Sequence, residues 1–293
     1  MGGWVCMADD RRLDVYLLNL FTGAMVTLPP LTTNVISEHW RGGVRPLQIR
    51  CDDGVFEMVA FGHFGEDAHL YKVVFSTEPT DPNCTIVVFF RRAVCMDLVY
   101  CRPGDERWAL MDTSLWEVYD AVFYKEKLYV VTSIMGSVVA FDLIHQGQEI
   151  KMPTVNVIDR DWFCVPDMRT QVHLAVGPSG LLFILRHLIP HQTEMFKIFR
   201  LDETETKWVR TKSLDDGMLF VGLNTSTWLP SGNFKECKGN SIYFTDDVTN
   251  LLYLDDQFKD SGVFYLEDMS FGSIYGDDMK VLYPHPVWVI PNP

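Results

Sequence analysis

The chain has 293 residues, 47% of them hydrophobic and 13% aromatic, which is one domain or two with ample apolar material for a core. Lys and Arg number 25 against 39 Asp and Glu, a net charge of −14. That acidic balance excludes a binder of phosphate backbones and disfavours anionic membranes, because both need a basic patch.

No apolar run reaches the ~18–20 residues of a membrane helix. The opening MGGWVCMADDRRLD has neither the basic nor the apolar region of a secretory leader. The seven cysteines are odd in number and show no CxxC spacing, so reduced thiols in an intracellular protein, cytoplasmic or nuclear, are expected.

Helical periodicity is scarce, and short strand-like runs between Gly, Pro, Asp and Asn dominate. The first unit covers 3–31: a strand at 4–8, a charged turn at 9–12, strands at 14–18 and 24–28, then Pro29-Pro30 as a stop. Residues 32–53 read as a crossing loop with one added strand. A second unit is expected at 55–76, with its turn at HFGEDA. The third, 84–111, has three strands around Arg91-Arg92 and the turn Pro103-Gly104-Asp105. The fourth, 118–150, turns at Lys125-Glu126-Lys127, at Met135-Gly136 and at 142–147. The fifth, 172–211, contains Gly177-Pro178-Ser179-Gly180, the run LLFILRHLI, a polar loop and FKIFRLD. The sixth, 238–275, is the clearest: strands at 240–245 and 262–266 and a tight turn at 267–270.

One grammar repeats. A strand ends at a polar turn and an apolar residue or Trp opens the next, as in NLFTGAMV from Asn19, CRPGDERWAL from Cys101, DLIHQGQEI from Asp142, LDETETKWV from Leu201 and LEDMSFGSI from Leu266. The interval from Asn19 to Cys101 is twice that from Cys101 to Asp142, which leaves room for the unit at 55–76. Such repeats read as all-β, a kelch-like β-propeller of about six blades, with five or seven as alternatives. A large sandwich or two small β domains is the competing architecture. The propeller is expected to be a single domain over residues 1–293, with Trp4, Trp108, Trp208 and Phe264 packing its sheets. The 238–275 unit, as the last, is expected to close the ring on the strands from Trp4 onward.

No catalytic or metal chemistry emerges. The paired acids Asp9-Asp10, Asp52-Asp53, Asp215-Asp216, Asp246-Asp247, Asp255-Asp256 and Asp277-Asp278 point to opposite faces when extended, so a pair seldom converges on one ion. His187 and His191 are four apart, but Pro190 spoils a helical ligand pair. No G-x-S-x-G, phosphate loop or dinucleotide fingerprint occurs. No catalytic, cofactor-binding or metal residue is assigned, and no cofactor is expected. An enzyme, of the glycosidase-like propeller hydrolases, is the alternative; it rests on fold analogy alone. A degenerate paralogue without activity is a third.

Several stretches together resemble the plant F-box-associated, kelch-like β-propeller family that includes the KIB-type F-box proteins, a domain of unknown function. They are NLFTGAMVTLPPL at 19–31, YCRPGDERWALM at 100–111, VYDAVFYKEKLYVV at 118–131, FKIFRLDETETKWVRTKSLDDGMLFVG at 196–222, CKGNSIYFTDD at 237–247 and GVFYLEDMS from Gly262. Leu20 and Phe21 depart from the family's usual Asn-Pro-x-Thr-Gly. The resemblance implies a non-enzymatic propeller that binds another protein, like the substrate-recruiting part of a ubiquitin-ligase receptor. Members commonly carry an N-terminal F-box that docks a Skp-type adaptor. This chain begins directly at the first strand, so an F-box is expected to be absent and adaptor docking is in doubt. A monomer is expected, with contacts to a protein partner from loops 9–12, 63–67, 190–194 and 246–250. Their candidate residues are Asp9, Arg12, His63, Asp67, His191, Asp246 and Asp247.

Overall fold

The computed structural model describes residues 3–8, 14–30, 44–45, 48–51, 54–57, 63–64, 68–92, 95–111, 118–132, 137–142, 148–151, 169–189, 192–234, 237–245, 260–274 and 288–289. They form five sheets of three to six strands and one two-stranded ribbon. Among them the helical structure is a single 3-10 turn, Ser231–Asn233, and no helix is long and apolar enough to cross a membrane. The chain divides into two compact units, Met1–Glu117 with Val289–Pro293, and Val118–Trp288.

In the first unit, β1 (Trp4–Ala8), β2 (Val15–Asn19) and β3 (Met25–Leu28) make a meander. Its faces follow the period of two: Val15, Leu17, Val26 and Leu28 are buried, while Met25 and Thr27 are exposed. A six-stranded sheet contains β4 (Val44–Arg45), β7 (His63–Phe64), β8 (Ala68–Phe75), β9 (Ile86–Arg92), β10 (Cys95–Cys101) and β11 (Ala109–Leu110). Between them in sequence, β5 (Gln48–Cys51) and β6 (Gly54–Glu57) pair only with each other. Ile86, Val88, Val99 and Cys101 share a core with the meander's buried residues. Trp108 is buried in that core and donates its indole N–H to the Pro29 carbonyl at 2.9 Å. Trp4 packs on the same core and donates to Glu78 Oε1 at 2.5 Å.

The expected unit at 55–76 is therefore not separate. Its last strand, β8, pairs with β9 along most of its length, and the short connection through Pro79 and Pro82 brings the two together as antiparallel neighbours. Only β6 falls to the ribbon.

The second unit has three sheets. The first runs β12 (Asp120–Tyr124), β13 (Lys127–Val131), β14 (Val138–Asp142) and β15 (Gln148–Lys151). The next runs β16 (Arg169–Gly177), β17 (Gly180–Ile189), β18 (Gln192–Asp202) and β19 (Lys207–Thr211). The β12–β13 turn is Lys125-Glu126, both at positive φ (47° and 63°), the two-residue geometry that matches strand twist.

Nine consecutive residues of β17 are buried, and the reason is that both faces are covered. Leu181, Phe183 and Leu185 pack with Val122, Val131 and Ala140 of the β12–β15 sheet. Leu182 and Ile184 pack with Leu219, Val221, Ile242, Phe244 and Phe264 of the third sheet. Each such side chain withdrawn from water contributes about 1.5–3 kcal/mol.

The third sheet has the order β21 (Thr227–Pro230), β20 (Gly217–Val221), β22 (Ser241–Phe244), β23 (Gly262–Tyr265), β24 (Phe271–Gly272). The last three are the strands expected from 238–275. β20 and β21 lie outside every expected unit, and β20 pairs with β22 in parallel. Gly217 is obligatory there: the Trp228 indole lies where any Cβ would project, and its N–H donates to the Leu214 carbonyl at 2.8 Å.

Candidate functional site

The repeated polar turns occupy one position in the architecture. Each joins the last two strands of its sheet: β2–β3, β10–β11, β14–β15, β18–β19 and β23–β24. At Asn19, Asp202 and Asp268 the side chain caps the turn itself. Asn19 Oδ1 accepts the N–H groups of Phe21 and Thr22 at 3.0 and 3.1 Å. Asp202 Oδ1 accepts those of Thr204 and Glu205 at 3.0 and 3.1 Å. Asp268 Oδ1 accepts from the backbone and hydroxyl of Ser270. These are Asx turns, with each side-chain oxygen engaged by backbone donors of its own turn.

Asp215-Asp216, the acidic pair among those tested that falls on described residues, is likewise a turn. Both residues have positive φ, 53° and 58°, and Asp215 Oδ2 accepts the Ser179 hydroxyl at 2.5 Å. Among the described residues no group of three or more His, Cys, Asp or Glu is placed to hold a metal ion.

The most concentrated buried charge lies at one end of β17. The series Leu182, Ile184 continues on the same face with Arg186, whose side chain is fully buried. Its Nε donates to Thr193 Oγ1 at 2.8 Å and its Nη1 to the Thr245 carbonyl at 2.8 Å. Nη2 reaches Asp260 twice, the carbonyl at 3.1 Å and Oδ2 at 2.8 Å. Asp260 also accepts the N–H of Thr193 at 3.0 Å and its hydroxyl at 2.6 Å. The guanidinium stands 4.9 Å from the Phe244 ring centroid and 5.9 Å from that of Phe196, a cation–π setting. On the other face, burial pushes the His187 imidazole down to about 4, with the Lys197 charge adding to the effect.

Among the other described ionisable groups, some pair at the surface and some thiols are buried. Lys125 Nζ and Tyr124 Oη both donate to Glu203 at the surface, at 2.6–2.8 Å, and these bonds hold the Glu203 carboxyl below its usual range. Burial pushes the Cys6 thiol up to about 12 and raises Cys101 as well. Protonated thiols of this kind are poor nucleophiles.

The family model described as the KIB1-4 beta-propeller matches residues 1–265. The chain belongs to that family. F-box protein At2g26160 of Arabidopsis thaliana is 37% identical over 235 residues, 73% of this chain and 69% of that protein. Probable F-box protein At4g22165, also from Arabidopsis, is 24% identical over 83% of this chain and 59% of its own length. F-box protein KIB4 of the same plant is 23% identical over 83% of this chain and 58% of its own length. The chain thus spans about three fifths of several of the curated relatives it matches.

Within this KIB1-4 propeller, the residues expected to meet a partner lie mostly beyond the described ones. Asp9, Arg12, Asp67, His191, Asp246 and Asp247 are outside them. His63 is in β7, paired with His69 of β8. The expected loop at 190–194 is shorter than its polarity implies: Gln192–Glu194 belong to β18, and Thr193 is buried beneath Arg186 and Asp260. The connection there is 190–191. The sequence signal for this cluster is the one arginine inside the apolar run LLFILRHLI. Its partner Asp260 is 74 residues away, and local pattern does not reveal it.

Proposed function

We propose that this KIB1-4 propeller binds another protein and, as the recruiting part of a ubiquitin-ligase receptor, presents it for modification without catalysing a reaction itself. The observation that carries this is the family match over residues 1–265, together with relatives named as F-box proteins. The use of Asn19, Asp202, Asp260 and Asp268 as internal acceptors supports a binding module over an enzyme. The free thiols of Cys6, Cys84, Cys101 and Cys237 fit an intracellular location.

Proximity labelling in Arabidopsis cells, with the full chain as bait and an unrelated propeller as control, tests the proposal. A reproducible set of proteins labelled by this chain and not by the control is expected. Identical labelling by the two baits refutes specific recruitment.

A further inference from the structure

Trp288 sits at the corner where β20 ends, and each of its hydrogen-bonding groups is engaged there. Asn224 holds its backbone from both directions: Oδ1 accepts the Trp288 N–H at 3.2 Å and Nδ2 donates to the Trp288 carbonyl at 2.6 Å. The side-chain amide thus imitates the paired residue of a neighbouring strand, which exchanges both bonds with one residue of its partner. The indole N–H donates to the Val221 carbonyl at 2.9 Å, and the same carbonyl takes the Thr245 N–H at 3.0 Å. The Phe220 ring stands edge-on to the indole, with centroids 5.0 Å apart and planes at 73°. Main-chain bonds for affinity and a slot for one side chain are how extended peptides are recognised. A phenylalanine can fill the slot, but it has no N–H for Val221.

One group at this corner is left over. Thr245 Oγ1 is buried and has no hydrogen-bond partner among the described residues. It borders the point where a Cβ on Gly222 would project, and Trp288 Cδ1 lies 3.3 Å from that same point. We propose that Phe220, Val221, Gly222, Asn224 and Thr245 form a peptide-binding site that reads a tryptophan. The chain's own Trp288 fills it at rest, and a protein partner enters by presenting a tryptophan in an extended segment in place of Trp288. A segment that also brings a polar group to Thr245 Oγ1 gains a hydrogen bond that Trp288 does not make, which lets it displace the half-buried resident. The reading of tryptophan stands on these contacts alone; its use by a partner rests on the proposed function.

Fluorescence polarisation of a labelled peptide with the sequence HPVWVIP, that of 285–291, tests the site in the full chain. W288A, whose site is vacated, is expected to bind the peptide at least about tenfold more tightly than wild type, whose own tryptophan competes. Adding N224A removes two hydrogen bonds and is expected to weaken binding at least about tenfold. Replacing the peptide's tryptophan with phenylalanine removes one and is expected to weaken it about fivefold. Should W288A fail to fold, W288F, which keeps a ring against Phe220, is expected to fold and to bind the peptide more tightly than wild type. No binding to a folded W288A, or equal binding by W288A and W288A/N224A, overturns the site. So does failure of both W288A and W288F to fold, since Trp288 is then a core residue.

Proximity labelling tests the partner. N224A is expected to lose the proteins labelled by wild type, and W288A to label them at least about twofold more strongly. A corner with a merely structural role moves both variants in the same direction; that result, or full retention in N224A, overturns the partner's use of the site. If wild type sediments as a dimer and W288A as a monomer, the occupant is Trp288 of a second copy and the partner is again overturned. If wild type labels nothing specific, the proposed function fails while the peptide measurement still decides the site.

Discussion

Asp120 offers the sharpest measure of how the sheets of the second unit are joined. It is buried at the start of β12. One carboxylate oxygen accepts the Leu174 N–H of β16 at 2.7 Å, and the other accepts the Ala121 N–H at 2.7 Å. Replacing Asp120 with Ala deprives two buried backbone donors of these acceptors. At about 1–3 kcal/mol for each stranded group, the loss is about 4 kcal/mol. For a unit of this size that lowers the melting temperature by about 8–16 °C. Asn keeps one acceptor oxygen but turns an NH2 toward the other N–H, so D120N is expected to lose about half as much. Urea denaturation and thermal melts of the full chain measure both. A D120A variant within about 1 kcal/mol of wild type would show that the bond to Leu174 does not join these sheets.

Gly217→Ala forces a methyl into the Trp228 indole and is expected to cost about 3 kcal/mol; G217A/W228L, which removes the obstructing ring, should recover part of that in the same melts. His187 is held neutral in the folded chain with its pKa down at about 4, while unfolded histidine titrates near ~6.5. Protons therefore bind the unfolded state first as pH falls, and His187 stability is full above about 6.5 and lost progressively toward about 4. The loss amounts to about 3 kcal/mol, and H187Q should flatten that share of the pH dependence in denaturation curves taken between pH 7 and 4. Cys84 and Cys101 are buried, whereas Cys237 is half-exposed; iodoacetamide should modify Cys237 in the native chain and reach the other two only on unfolding, as read by mass spectrometry.

The β16–β19 sheet is legible in the sequence because every clue to it is local. Gly177-Pro178-Ser179-Gly180 marks one hairpin, and Asp202 with Trp208 marks another. The turns at Asn19, Asp202 and Asp268 fall where their shared grammar puts them, since an Asn or Asp that caps its own turn carries the signal within a few residues. β20 and β21 are different. Their run GMLFV is short, and the parallel pairing of β20 with β22 crosses an intervening strand and a 3-10 turn, which no hairpin pattern announces. The 55–76 segment misleads for a related reason: the polar stretch after it, 77–83, reads as a unit boundary, but β8 pairs with β9 across it. Trp4 and Trp108 were recognisable as packing residues, although the acceptors of their N–H groups, Glu78 and Pro29, were not. The buried Arg186–Asp260 pair was the least legible feature. Arg186 stands out in its apolar run, but nothing near it in sequence names Asp260 as its partner.

The most direct test of recruitment is ubiquitin transfer. The chain is fused behind an F-box at Met1, expressed in Arabidopsis cells, and ubiquitin-remnant peptides are quantified against the same fusion carrying an unrelated propeller. Proteins labelled by the chain alone should gain ubiquitin in the fusion and not in the control. If none of them gains ubiquitin while the fused F-box is shown to be assembled into its ligase, the propeller does not present substrates and its role as a recruiting module is contradicted.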